Sequence, residues 1–143
     1  MKKPTPRFYL IPGTIFPFDV LIAVSTHEEV MKYIENNKKY QLSDEEKEKL
    51  EMTGNGRTVI LGGGQTIIRL KEQKTSLGID VCDLVHEIEH AVYFILERIG
   101  IKHNIDSDEV FAYYQAFLMR KAMNYFDPPA KKSGRNYESD KKD

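Results

Sequence analysis

The chain of 143 residues holds a single cysteine, Cys82, and no tryptophan. One cysteine excludes an internal disulfide, so stability has to come from a packed core, and the usage suits a reducing compartment. Neither sign of charge is in excess: 21 Lys and Arg stand against 22 Asp and Glu, for a net charge of −1. Such a balance offers no general attraction for nucleic acid or for an anionic membrane. No apolar run reaches the roughly 18 residues of a membrane span, and the opening MKKPTPRFYL has no apolar core of signal-peptide length. The expectation is a cytoplasmic protein with neither nucleic acid nor membrane as partner. There is no internal repeat. With 41% hydrophobic residues in 143, the chain is long enough for one domain with one real core.

The domain is expected to span residues 1–126, followed by a polar tail, 127–143, that begins at a Pro pair and is too poor in apolar residues to pack. Arg7 to Ile11 reads as a short strand before the turn Pro12-Gly13. Asp19 to Val24 is a second strand, whose unbroken apolar character predicts burial on both faces. Ser25 or Thr26 then caps a helix to about Tyr40, and Ser43 caps a short charged helix to about Met52. Arg57 to Leu61 and Gln65 to Leu70 form a hairpin around Gly62-Gly63-Gly64, a triplet that lacks the lysine, hydroxyl and following helix of a phosphate loop. Two long helices follow, from Asp80 to Gly100 and from about Asp106 to Phe126, with apolar residues at helical spacing. The fold class this predicts is α+β: a small, mostly antiparallel sheet packed on two long C-terminal helices.

The first long helix carries His86-Glu87-Ile88-Glu89-His90. Residues four apart on a helix lie on one face, so His86 and His90 can both offer an imidazole nitrogen to one metal ion. Zinc suits this spacing, because it takes nitrogen ligands in a tetrahedral arrangement and leaves a position for water. Glu87 stands beside the pair, where it can act as general base on a metal-bound water. Val81, Val85, Ile88, Val92, Ile95 and Ile99 are expected to make the buried stripe, with the histidines off its centre near Cys82, Tyr93 and Glu97. Cys82 reads as a buried small hydrophobe.

Two histidines leave a catalytic zinc short of a ligand. Glu109, at the start of the second long helix, is the candidate, with Asp108, Asp106 and His103 as alternatives. Asp106 and Glu109 also have the spacing of a capping box, which explains Glu109 without metal. Tyr113 and Tyr114 stand one turn on, as an oxyanion donor or as core. Asp83 can orient His86 or stay solvated.

His86-Glu87-x-x-His90 followed by Glu109-Val110-Phe111-Ala112 resembles the gluzincin branch of HExxH zinc metallopeptidases, and the proportions resemble small HExxH proteins of bacteriophages. The resemblance implies a zincin-like hydrolase in which His86, His90 and Glu109 hold zinc, Glu87 is the catalytic base and a peptide or protein is the substrate. It also implies that the motif helix follows a sheet whose edge strand holds the extended substrate, with Gln65 to Leu70 in the right order to be that strand. A phage origin implies host cytoplasm or virion as the location. The alternative is a catalytically inactive zincin-like structural or adaptor protein, such as a virion or assembly component.

Overall fold

A computed structural model describes residues 5–130. The chain forms β1 (Arg7–Ile11), β2 (Val20–Val24), α1 (His27–Glu35), α2 (Asp44–Lys49), β3 (Gly56–Ile60), β4 (Thr66–Leu70), α3 (Val81–Arg98) and α4 (Asp108–Phe126). The architecture is α+β, with a four-stranded sheet in the order β1-β2-β4-β3. β1 and β3 run antiparallel to their neighbours, and β2 and β4 are parallel to each other. The two central strands are buried at all five positions, VLIAV and TIIRL, which is why they read as continuous rather than alternating apolar runs.

Alternate residues of these strands face two separate cores. Ile22, Val24, Ile68 and Leu70 pack against α3 and α4, while Leu21, Ala23, Ile67 and Val59 pack against α1, Tyr40 and Leu50. Helices therefore cover both faces of the sheet. Ile88 and Ile95 of α3 are wholly buried, and each contributes roughly 1.5–3 kcal/mol by leaving water.

Local signals set the helix starts. Thr26 and Glu29 form a reciprocal capping box on α1, and the Ser43 hydroxyl accepts from the Glu46 amide at the start of α2. α1 stops at Glu35, short of the expected Tyr40, because Asn37 turns the chain, its side chain accepting from the Lys39 amide at 3.2 Å. α2 also ends early, at Lys49, so that Leu50 can be wholly buried.

Two expectations are corrected here. The strand after the glycine triplet is not an edge: β4 lies between β2 and β3, and the edge beside it is β3. The buried face of α3 is also turned from the expected stripe. Leu84, Ile88, Ala91, Ile95 and Leu96 fill the core, whereas Val81, Val85 and Ile99 are exposed. Both stripes share Ile88, Val92 and Ile95, and the sheet, which touches α3 through β3 and β4, selects between them. The described part of the expected tail, residues 127–130, is exposed; the rest of it lies outside the described residues. No helix among them is long and apolar enough to cross a membrane.

Candidate metal centre and its base

α3 is held at both ends as its sequence suggests. The Asp80 carboxylate accepts from the Cys82 amide at 2.8 Å. Beyond its C-terminus Gly100 turns left-handed at φ 85°, and the Ile101 amide donates back to the Leu96 carbonyl at 2.9 Å. A helix fixed this way presents its side chains at set angles.

His86 and His90 lie exposed on one face, with their Nε2 atoms 3.1 Å apart. Two nitrogens bound at about 2.05 Å to one tetrahedral zinc would stand about 3.3 Å apart. The pair thus fits two places of a zinc coordination sphere. His90 also stacks on Phe94, with ring centroids 6.0 Å apart, which limits its swing.

Glu87 is only 6% exposed, although both histidines are in solvent. It points towards β3. The Thr58 hydroxyl lies 2.6 Å from Glu87 Oε2 and 3.0 Å from the Glu87 carbonyl oxygen. Gly56 leaves the room: a Cβ built there would stand 2.7 Å from both Cγ and Oε1 of Glu87. Sequence reasoning missed Thr58 and Gly56. Gly54-Asn55-Gly56 reads as a turn and Thr58 as a strand residue, with no local sign of a partner on α3.

β3 brings a free backbone edge to the same place. The Lys71 amide donates to the Asn55 carbonyl and the Leu61 amide to the Gln65 carbonyl. In an antiparallel ladder such pairs alternate, so Arg57 and Val59 also bond to β4, and Gly56, Thr58 and Ile60 direct their backbone groups away from the sheet.

On the other flank, Tyr93 continues the histidine face and its hydroxyl lies 2.9 Å from His103 Nδ1. His103 Nε2 lies 2.9 Å from Asp108 Oδ1. With Asp108 ionised, Nε2–H donates to it and Nδ1 accepts from the tyrosine. A cleft of about 260 Å³ runs here between α3 and α4, lined by Glu89, Tyr93, His103, Asp108, Phe111 and Gln115.

Glu109 is exposed on the first turn of α4. Among the described residues no group of three or more His, Cys, Asp or Glu side chains is gathered as a metal site, so the structure brings His86 and His90 together but not Glu109 with them. The Asp106–Glu109 capping box does not form either. The Asn104 side chain accepts from the amides of Asp106 and Ser107, which turns the chain early and leaves Ser107 at the N-cap with its hydroxyl bonded back to Asn104 and Lys102 rather than to a helix amide. Tyr114 is core, edge-on to Phe16 at 4.7 Å, and Tyr113 is 73% exposed. Cys82 is exposed rather than buried, because the selected core face turns it outward. No protein-family model, curated protein or solved structure matches the chain.

Proposed function

We propose that the chain is a zinc-dependent peptidase, with His86, His90 and Glu109 as metal ligands and Glu87 as general base. The observation that carries this reading is the pairing of two converging imidazole nitrogens, 3.1 Å apart, with a carboxylate fixed one residue away. Zinc held by His86, His90 and Glu109 would supply an acidified water and a Lewis acid for a carbonyl. Glu87 would be the residue that holds the proton and hands it on to a leaving amine. The free edge of β3 accepts an extended peptide by strand addition, through the outward backbone groups of Gly56, Thr58 and Ile60. Glu109 joins the site only with a shift of the first turn of α4.

Glu87→Gln tests the reading with a quenched fluorescent casein as substrate and zinc added. Turnover is expected to fall by roughly 10²- to 10⁴-fold, the usual weight of a general base, with zinc content and melting temperature kept.

That Glu109 is not gathered with the histidines favours a second reading, a structural or adaptor protein that keeps the motif, for instance in assembly of a phage particle. In that case the casein is left intact by the wild type and by Glu87→Gln alike.

A further inference from the structure

We infer that Tyr93, His103 and Asp108 form a second reactive site, independent of metal, in which the Tyr93 hydroxyl takes an acyl group from a neutral activated ester. The three side chains are one hydrogen-bonded chain. The Tyr93 hydroxyl donates to His103 Nδ1 at 2.9 Å, and His103 Nε2–H donates to Asp108 Oδ1 at 2.9 Å. A hydroxyl, an imidazole and a carboxylate in that order are a nucleophile, its base and the group that orients the base. Asp108 fixes the tautomer in which Nδ1 can accept a proton.

The imidazole is held in place. Its ring stands edge-on to buried Phe111, with centroids 4.6 Å apart, and tilted against the Tyr93 ring at 5.3 Å. The loop after it is closed by the Asn104 amide, which donates to Ser107 Oγ at 3.0 Å. Tyr93 stays 39% exposed, so a ligand can reach its hydroxyl. A second cleft, of about 270 Å³, shares Tyr93, His103 and Phe111 with the cleft of about 260 Å³ between α3 and α4. Aromatic walls suit a flat apolar ligand. Glu89 and Asp108 line the first cleft, and Glu97 and Lys102 the second. Three carboxylates against one ammonium disfavour an anionic phosphoryl donor and leave a neutral ester unopposed.

In the step, Tyr93 Oη attacks the ester carbonyl carbon and its proton passes to His103 Nδ1. The bond from that carbon to the leaving oxygen breaks, and His103 gives the proton to the departing group. The imidazolium formed between the two transfers faces the Asp108 carboxylate.

The test incubates the full chain with p-nitrophenyl acetate and maps acetyl groups by mass spectrometry over time. EDTA is present throughout, so the outcome is separate from the peptidase reading. Tyr113, at 73% exposed, is the more open phenol and serves as internal reference. Tyr93 should acetylate at least about tenfold faster than Tyr113, although it is the less exposed. His103→Ala should slow Tyr93 by roughly 100-fold, the lower end of what a general base contributes, and leave Tyr113 as it was. Asp108→Asn keeps the imidazole but removes the charge behind it, and should slow Tyr93 by at least about tenfold. That variant keeps the test sharp if His103→Ala fails to fold. Tyr93 labelled no faster than Tyr113 overturns the inference, as does labelling of Tyr93 that either variant leaves unchanged.

Discussion

His86 and His90 hold their Nε2 atoms 3.1 Å apart across one turn of α3. One Nε2–H donates to the other nitrogen across that gap, and the same separation is close to the span a shared zinc sets. Zinc should therefore bind and stabilise the fold, by about 2.7 kcal/mol when free zinc is 100 times its dissociation constant. Melting curves with zinc and with a chelator check this. The shift is expected in the wild type and absent in His86→Ala and in His90→Ala.

Arg69 is a buried cation, 2% exposed, on the sheet face that packs against α1. Its two terminal nitrogens donate to the Leu50 and Ser25 carbonyls, each at 2.9 Å. Burial pulls its pKa down from the usual guanidinium value. The planar fork reaches two carbonyls at once, which a lysine ammonium cannot do from the same stem. Arg69→Lys should lose roughly 1.5–3 kcal/mol, the worth of one hydrogen bond to a charged group. Urea unfolding measures it, and a loss below about 0.5 kcal/mol, the range of a surface change, argues that the fork carries no load.

Features written in neighbouring residues were legible in the sequence. The caps at Thr26, Ser43 and Asp80 and the exit at Gly100 depend on contacts within a turn. The histidine pair depends only on helical spacing. Features decided across the chain were not legible. β4 is central because β2 pairs with it in parallel, a long-range choice that its apolar run permits but does not reveal. The contact of Thr58 with Glu87 spans 29 positions. The core face of α3 departs from the expected stripe because Ile88, Val92 and Ile95 fit either face, and only the sheet decides between Leu84 and Val85.

Burial raises the pKa of two tyrosines, Tyr40 and Tyr114, from 10.0 to about 12. In the unfolded chain a tyrosine titrates near about 10. Below that pH both states keep the proton, so neither tyrosine makes stability depend on pH. Between about 10 and 12 the unfolded chain releases protons that the folded chain retains, and stability falls as pH rises. Tyr114→Phe should be close to neutral at pH 8 and should lose less stability than the wild type between pH 8 and 11. Urea unfolding at the two pH values checks this, and an equal loss in both proteins removes Tyr114 as a source.

The third zinc ligand is the sharpest test of the proposed function. Four candidates lie between Gly100 and the first turn of α4. His103 has both ring nitrogens engaged, with Tyr93 and Asp108 at 2.9 Å each, so it and Asp108 serve each other. Asp106 lies before the N-cap, in the turn held by Asn104. Glu109 is the exposed carboxylate on the first turn of the helix itself. Glu109→Ala should weaken zinc binding by more than about 100-fold, beyond the 10- to 100-fold range of outer partners, and Asp108→Asn should stay within that range. Competition against a chromophoric chelator reads both. Unchanged affinity in Glu109→Ala means that the histidine pair binds without α4, and that shifts the balance from the peptidase to the adaptor.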